Sequence, residues 1–280
     1  MRSAFRKRNA GSDRRPAQEG GVRLGADGLK PENRIWEQYG PYFSFEERYV
    51  FPEDTDEIEF YRRLRNRYTG NCIELGAGDG RLTEKIWDEK YLTVALEPAV
   101  SMMKRWKEPD HRRISRVLAE AGEIPVASSS MDLVLFPYNG LHCILNRDRR
   151  RRVLRECARL LKSGGRFVAE TCPGFAERPE ETDSLRYNYK RGNTSLRLDE
   201  SVRIHKDSDR ILFHMTYSGS FVKEGSTGIT LELALIPASQ LLQDLRSAGM
   251  SVCALWGDYD LTPWSGEYSP RLLLMAGRSE

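Results

Sequence analysis

From residue 55 to residue 172 the chain alternates two rhythms of apolar residues. Ile58, Phe60, Tyr61 and Leu64 fall at helical spacing and predict a helix over 55–67. Short unbroken apolar runs at 71–75, 91–96, 114–118, 131–136 and 166–171 predict buried strands. Over 147–162 the residues Val153, Leu154, Cys157, Leu160 and Leu161 form one stripe with arginines around the rest, the pattern of a helix lying on a sheet, and Ser163, Gly164 and Gly165 are expected to end it. Strands and helices taking turns in this way predict an α/β fold with a parallel sheet.

The rhythm changes after residue 172. Alternating runs at 196–198, 202–204, 211–217 and 229–233, with polar turns at 206–209 and 224–225, predict antiparallel strands that roof the core or present a dimer surface. A helix over 238–248, capped by Gly249, and strands at 251–256 and 269–276 return to the first pattern. The layout expected is a basic tail (1–30), an aromatic lid segment (31–54), a core (55–172), an antiparallel cap (173–237) and a C-terminal completion of the core sheet (238–280).

The strand ending at Leu75 runs into Gly76, Ala77, Gly78, Asp79, Gly80 and Arg81. Alternate glycines let a backbone turn tightly and approach a ligand without a Cβ in the way. A dinucleotide fingerprint wants a third glycine where Arg81 stands, and Glu74 would repel a pyrophosphate, so the turn suits a cationic, amino-bearing ligand. About twenty residues on, Glu97 and Pro98 end the second strand, where an acid fits hydrogen bonding to ribose hydroxyls. Ligands in open α/β sheets bind beyond the carboxyl ends of the strands, which singles out Asn139 and His142 after the strand at 131–136. His142 is either a catalytic group or a histidine satisfied within the fold.

These segments resemble the class I S-adenosylmethionine-dependent methyltransferases, whose first motif E/D-x-G-x-G-x-G is matched by Glu74 to Gly80, and a broad bacterial small-molecule subgroup among them. The resemblance implies a Rossmann-like seven-stranded sheet, last strand antiparallel, with helices on both faces and the antiparallel β cap inserted after strand 5. It further implies that Glu74, Gly76, Ala77, Gly78 and Gly80 hold the methionyl part of S-adenosylmethionine, Glu97 and Pro98 the ribose, and Met102, Glu120 and Ala121 the adenine, with Phe136 and Tyr138 completing the cofactor site. S-adenosylhomocysteine is the implied product. The aromatic run at 35–43 reads either as a clip packing on the domain edge or, since related enzymes close a Tyr-containing segment over the cofactor, as a lid with Tyr39 and Tyr42 its candidates; related enzymes also carry an Asn and a His after the fourth strand. His142, Asn139 and Tyr39 are therefore the catalytic candidates. Leu160 to Gly165 (L-L-K-x-G-G) is a further shared feature.

Composition narrows the function. Residues 1–30 hold 8 Lys and Arg against 3 Asp and Glu, so most of the net charge of +3 sits in a tail too poor in apolar residues to fold alone, and the body is slightly acidic. That argues against an extended nucleic-acid surface, and the five arginines between 147 and 152 are expected to be the solvated face of a helix. No apolar run approaches membrane-spanning length, so no membrane partner is expected. Five cysteines at 72, 143, 157, 172 and 253, without a C-x-x-C pair, read as buried reduced thiols of a cytoplasmic protein without a structural metal. The expected activity is methyl transfer to a nitrogen or oxygen of a small molecule; an RNA or tRNA methyltransferase of the same fold and a non-catalytic cofactor-binding sensor are the alternatives.

Overall fold

The computed structural model describes residues 23–24, 34–51, 55–106, 113–266 and 269–279. Its frame is an eight-stranded sheet in the order β1 (Arg23–Leu24), β4 (Ile114–Leu118), β3 (Thr93–Glu97), β2 (Cys72–Leu75), β5 (Met131–Phe136), β6 (Leu161–Thr171), β12 (Leu272–Arg278), β11 (Met250–Trp256). All neighbours pair in parallel except β12, which runs antiparallel to both β6 and β11. Seven of these strands are the expected ones; the two-residue β1 adds an edge inside the segment read as tail, the rest of which lies outside the described residues.

The chain leaves β2 for β3 and β4 on one side and returns to β5 on the other. The order of strands therefore reverses between β2 and β5, and a crevice opens there at their carboxyl ends. Side-chain alternation along the strands builds a core on each face. Ile73, Val134 and Phe136 pack with Val153, Leu154 and Cys157 of α5 (Arg147–Leu160) and with α6 (Ala238–Ser247). Cys72, Leu133 and Leu135 pack instead with Phe60, Tyr61 and Leu64 of α2 (Thr55–Arg67). The sheet is buried on both faces, which is why its strands read as unbroken apolar runs.

A second, antiparallel sheet follows β6 in the order β10 (Ser226–Ala234), β9 (Arg210–Ser218), β8 (Thr194–His205), β7 (Glu181–Arg191). The two runs at 196–198 and 202–204 are one strand, β8. β7 has no apolar alternation because few of its residues are buried, so periodicity did not signal it. Leu196, Leu198, Val202, Ile211, Phe213, Met215 and Tyr217 share one face, which packs against α1 (Arg34–Phe45) and the single π-helical turn Glu46–Val50 that continues it. Another boundary differs from expectation: α5 ends at Leu160, and β6 starts at Leu161 and runs through the glycines, with Gly164 at φ +78°. Around Met102 the chain makes one helical turn, α4 (Val100–Met103).

Of the cysteines, Cys72 and Cys157 are buried, Cys143 and Cys172 are half-buried and Cys253 is exposed, against the expectation that all are interior; all five are free thiols. No described helix is long and apolar enough to cross a membrane.

Candidate active site

The crevice at the switch point is a cleft of about 320 Å³. The glycine turn after β2 forms its floor. Gly76 and Gly78 hold φ of +69° and +58°, conformations that side-chain-bearing residues adopt only under strain. A Cβ on Gly78 would come within 3.2 Å of the Met102 methyl, and one on Gly76 within 3.6 Å of the Phe136 ring. Gly80 does not line the cleft. Its missing side chain makes room for Trp106, whose ring would meet a Cβ at 2.1 Å. The helix that follows the glycine turn is a single turn, α3 (Thr83–Ile86).

Three acids line this cleft, Glu74 in β2, Glu97 at the end of β3 and Glu120 just after β4. Glu74, at 3% exposure, accepts the Thr83 hydroxyl, and burial pushes its carboxyl up to about 8. Glu97 accepts the Gly78 N–H at 2.9 Å and the Ala99 N–H at 2.8 Å, so the acid that ends β3 also fixes the glycine turn of β2. Burial outweighs those two hydrogen bonds and pushes Glu97 up to about 7. Both carboxyls are thus held in a state that a neighbouring cation would relieve. Glu120 and Ala121 line the opposite wall, followed by Gly122 and Glu123, with Pro98 and Met102 between the two walls.

Phe136 and Tyr138 line the end of the cleft at β5. A Cβ on Gly140 would lie 2.1 Å from the Phe136 ring, so only glycine lets the chain fold back over that ring. Asn139 between them, at φ +59°, lies off the cleft lining, and its side-chain oxygen has no hydrogen-bond partner.

His142 does not reach the cleft. It is fully buried, with Nδ1 2.7 Å from the Ala234 carbonyl and Nε2 accepting the Cys172 N–H at 3.1 Å. Both ring nitrogens are engaged, and burial pushes the imidazole down to about 4, so the general-base candidacy gives way to a neutral side chain linking β5, β6 and β10. Being neutral in the fold and ordinary when unfolded, His142 contributes stability that is complete above about pH 6.5 and is lost as pH falls toward 4. Wild type is expected to lose about 2.5 kcal/mol more than His142→Gln between pH 7 and pH 4.5, read as the shift in denaturant midpoint.

Tyr39 is also withdrawn from the cleft: its hydroxyl donates to Glu46 at 3.4 Å, and burial raises its phenol well above the ordinary value. Tyr42 stacks on Tyr217 of the cap at 4.3 Å. The same helix presents Trp36 and Phe43 to the cleft instead. Those two stand seven residues apart, on one helical face, a spacing that was visible in the sequence. The helix is tied down beside the cleft by Glu37, which accepts the Ser101 N–H at 3.1 Å, and by the Trp36 carbonyl, which accepts the Ser101 hydroxyl at 3.1 Å.

The mouth carries charges that motif reading did not select. Arg81 makes a two-pronged bond to Glu57 at 2.6 and 2.8 Å and stands 3.4 Å from Glu47; Arg48 binds Asp79 at 2.6 Å. The arginine run on α5 is mostly committed within the fold: Arg147 and Arg151 bind Asp244 of α6, and Arg150 donates to the carbonyls of Ile144 and Leu145.

A three-layer α/β fold with a nucleoside-sized cleft at its switch point defines a Rossmann-like ligand-binding protein. A family model described as a methyltransferase domain matches residues 73–169, a span that includes most of the strands and turns that form this cleft. The curated relative "Uncharacterized methyltransferase C70.08c" of Schizosaccharomyces pombe is 30% identical over 138 residues, 48% of this chain and 51% of that protein. The chain thus spans about half the length of the curated relative it matches. Among solved structures, the CcbJ methyltransferase from Streptomyces caelestis superposes with a TM-score of 0.73 at 15% identity, over 90% of this chain and all of that one. CalS10 with SAM bound, an amino pentose methyltransferase from Micromonospora echinaspora, follows at 0.63 and 14%, over 86% of this chain and 97% of its own. These structural likenesses establish the shared fold.

Proposed function

We propose that this protein transfers a methyl group from S-adenosylmethionine to an amine nitrogen of a small molecule. The observation that carries the reading is the convergence of Glu74 in β2, Glu97 at the end of β3 and Glu120 just after β4 on one cleft floored by Gly76 and Gly78. The residues fit the cofactor: raised buried carboxyls suit its cationic groups, and the glycines leave space that a Cβ would fill. Glu74 with Gly76, Ala77 and Gly78 would hold the methionyl part, Glu97 and Pro98 the ribose, and Met102, Glu120 and Ala121 the adenine, which leaves Phe136 and Tyr138 facing the reacting end. When bound, S-adenosylmethionine supplies a methyl on a sulfonium whose C–S bond breaks with its electron pair kept by sulfur. The protein's part is to align an acceptor and exclude water. An amine acceptor accords with a cleft lining where Glu74, Asp79, Glu97, Glu120 and Glu123 outnumber Arg81, Arg149 and Arg152, and with the amino pentose named for CalS10. A small acceptor accords with a cleft of about 320 Å³ and with Arg147 and Arg151 engaged by Asp244 rather than presented to a phosphate backbone.

Calorimetry with S-adenosylmethionine, S-adenosylhomocysteine and NAD tests the cofactor reading: micromolar binding of the first two and none of NAD supports it, and no binding of either removes it. The raised carboxyls add a signature. A cation binding beside Glu74 and Glu97 draws both toward ionisation, so binding at pH 7 is expected to release about one proton. Titrations in buffers of different ionisation heat measure that release. Because rising pH removes the same proton beforehand, affinity is expected to increase from pH 6 to about pH 7.5, where the ligand's own amino group begins to lose its charge.

A further inference from the structure

Tyr138 is held in a way that its position in the chain does not require. It is 44% exposed at the cleft mouth, yet nearly every part of it is fixed. Its backbone sits at φ +52°, followed by Asn139 at +59°, two consecutive left-handed residues that are not glycine and that cost strain. Its N–H donates to Glu170 at 3.1 Å, and Glu170 in turn accepts the Tyr259 hydroxyl at 2.8 Å. Phe43 of the lid meets the ring edge-on at 5.6 Å, and the Arg81 guanidinium lies 5.4 Å from its centroid. Its hydroxyl donates to Glu47 Oε1 at 2.7 Å. With its own proton committed to Glu47, the phenol oxygen keeps lone pairs to accept a hydrogen from a molecule in the cleft.

We propose that Tyr138 is a catalytic residue that accepts the proton of the acceptor amine and hands its own to Glu47, a reading that rests on the methyl-transfer function above. The acceptor's N–H donates to Tyr138 Oη, which turns the nitrogen lone pair toward the methyl group. As that pair forms the new C–N bond the nitrogen is left with a surplus proton. This proton moves to Tyr138 Oη while the phenol proton moves to Glu47 Oε1, so tyrosine is neutral before and after and Glu47 ends as a carboxylic acid that returns its proton to solvent. Burial already raises Glu47 above the ordinary carboxyl range, against the pull of Arg81, so it is a better proton acceptor than an exposed glutamate. Facing it are Arg81 and Asp79 from the turn after β2, Glu57 from α2, Tyr138 from the β5 end and Glu46 from its own turn.

The test uses the full chain, S-adenosylmethionine and a panel of primary, secondary and tertiary amines that includes amino sugars. Tyr138→Phe is expected to lower kcat for primary and secondary amines roughly 30- to 100-fold, with S-adenosylmethionine affinity by calorimetry unchanged. Glu47→Gln is expected to lower it about tenfold and to flatten the acidic limb of the kcat–pH profile. A tertiary amine has no proton to lose, so its turnover is expected to survive both substitutions. Equal losses for tertiary and secondary amines, or kcat of Tyr138→Phe within twofold of wild type, would overturn the proposal. A wild type that binds no S-adenosylmethionine brings down the underlying reading instead, and calorimetry separates that failure from this one.

Discussion

Glu97→Ala is expected to weaken S-adenosylmethionine binding by about 100-fold or more, some 3 kcal/mol, because one carboxylate holds two structures together. Glu97 accepts the Gly78 and Ala99 backbone N–H groups and sits 5% exposed, so its removal leaves two buried donors without a partner. Hydrogen bonds to a charged or partly charged group contribute about 1.5–3 kcal/mol each, and the loss falls on the glycine turn that floors the cleft. Glu97→Gln keeps one acceptor oxygen and is expected to lose about tenfold. Isothermal titration with S-adenosylhomocysteine reads both. Wild-type affinity in the alanine variant would remove Glu97 from the ribose site.

Glu46→Leu is the second large effect, and it falls on the packing of α1 against the antiparallel sheet. Glu46 is 4% exposed and accepts three phenol hydroxyls, from Tyr187 and Tyr217 at 2.7 Å and from Tyr39 at 3.4 Å. Those phenols come from α1, β7 and β9, so one carboxylate gathers the lid helix and two cap strands. An apolar side chain leaves the three hydroxyls without their acceptor, at a cost expected to reach about 3–4 kcal/mol. For a chain of this size that is a fall in Tm of roughly 6–14 °C. Glu46→Gln retains one oxygen for the two close phenols and is expected to cost about 1 kcal/mol. Thermal unfolding followed by near-ultraviolet circular dichroism of the aromatic cluster measures both, and an unchanged Tm in Glu46→Leu would show that the cap is held by its apolar face alone.

The lining of the cleft at the strand ends was legible in the sequence because its features are local. The glycine turn, the acid at the end of β3 and the acid after β4 each follow a strand whose apolar run is unmistakable, and strand ends converge by topology. What the sequence concealed depended on partners distant along the chain. His142 looked like a polar group at a ligand-facing strand end, but the groups that consume its two nitrogens lie 92 and 30 residues away. Tyr39 and Tyr42 were singled out by residue type, whereas the face of α1 that meets the cleft is set by what the other face packs on, and the cap takes the tyrosines. Glu47 gave no signal, since its significance comes from Tyr138, 91 residues away. β7 escaped because a half-solvated strand has no apolar rhythm to show.

The lid helix and the cap share one apolar cluster, with Tyr39 and Phe45 packed among the inward residues of β8, β9 and β10. They are therefore a single exchangeable part, although more than a hundred residues of Rossmann-like core separate them in sequence. A chimera that replaces residues 173–237 alone would set a foreign sheet against a helix shaped for this one. Moving the cap onto another core by grafting calls for residues 34–51 and 173–237 to travel together, leaving the glycine floor of the cleft untouched.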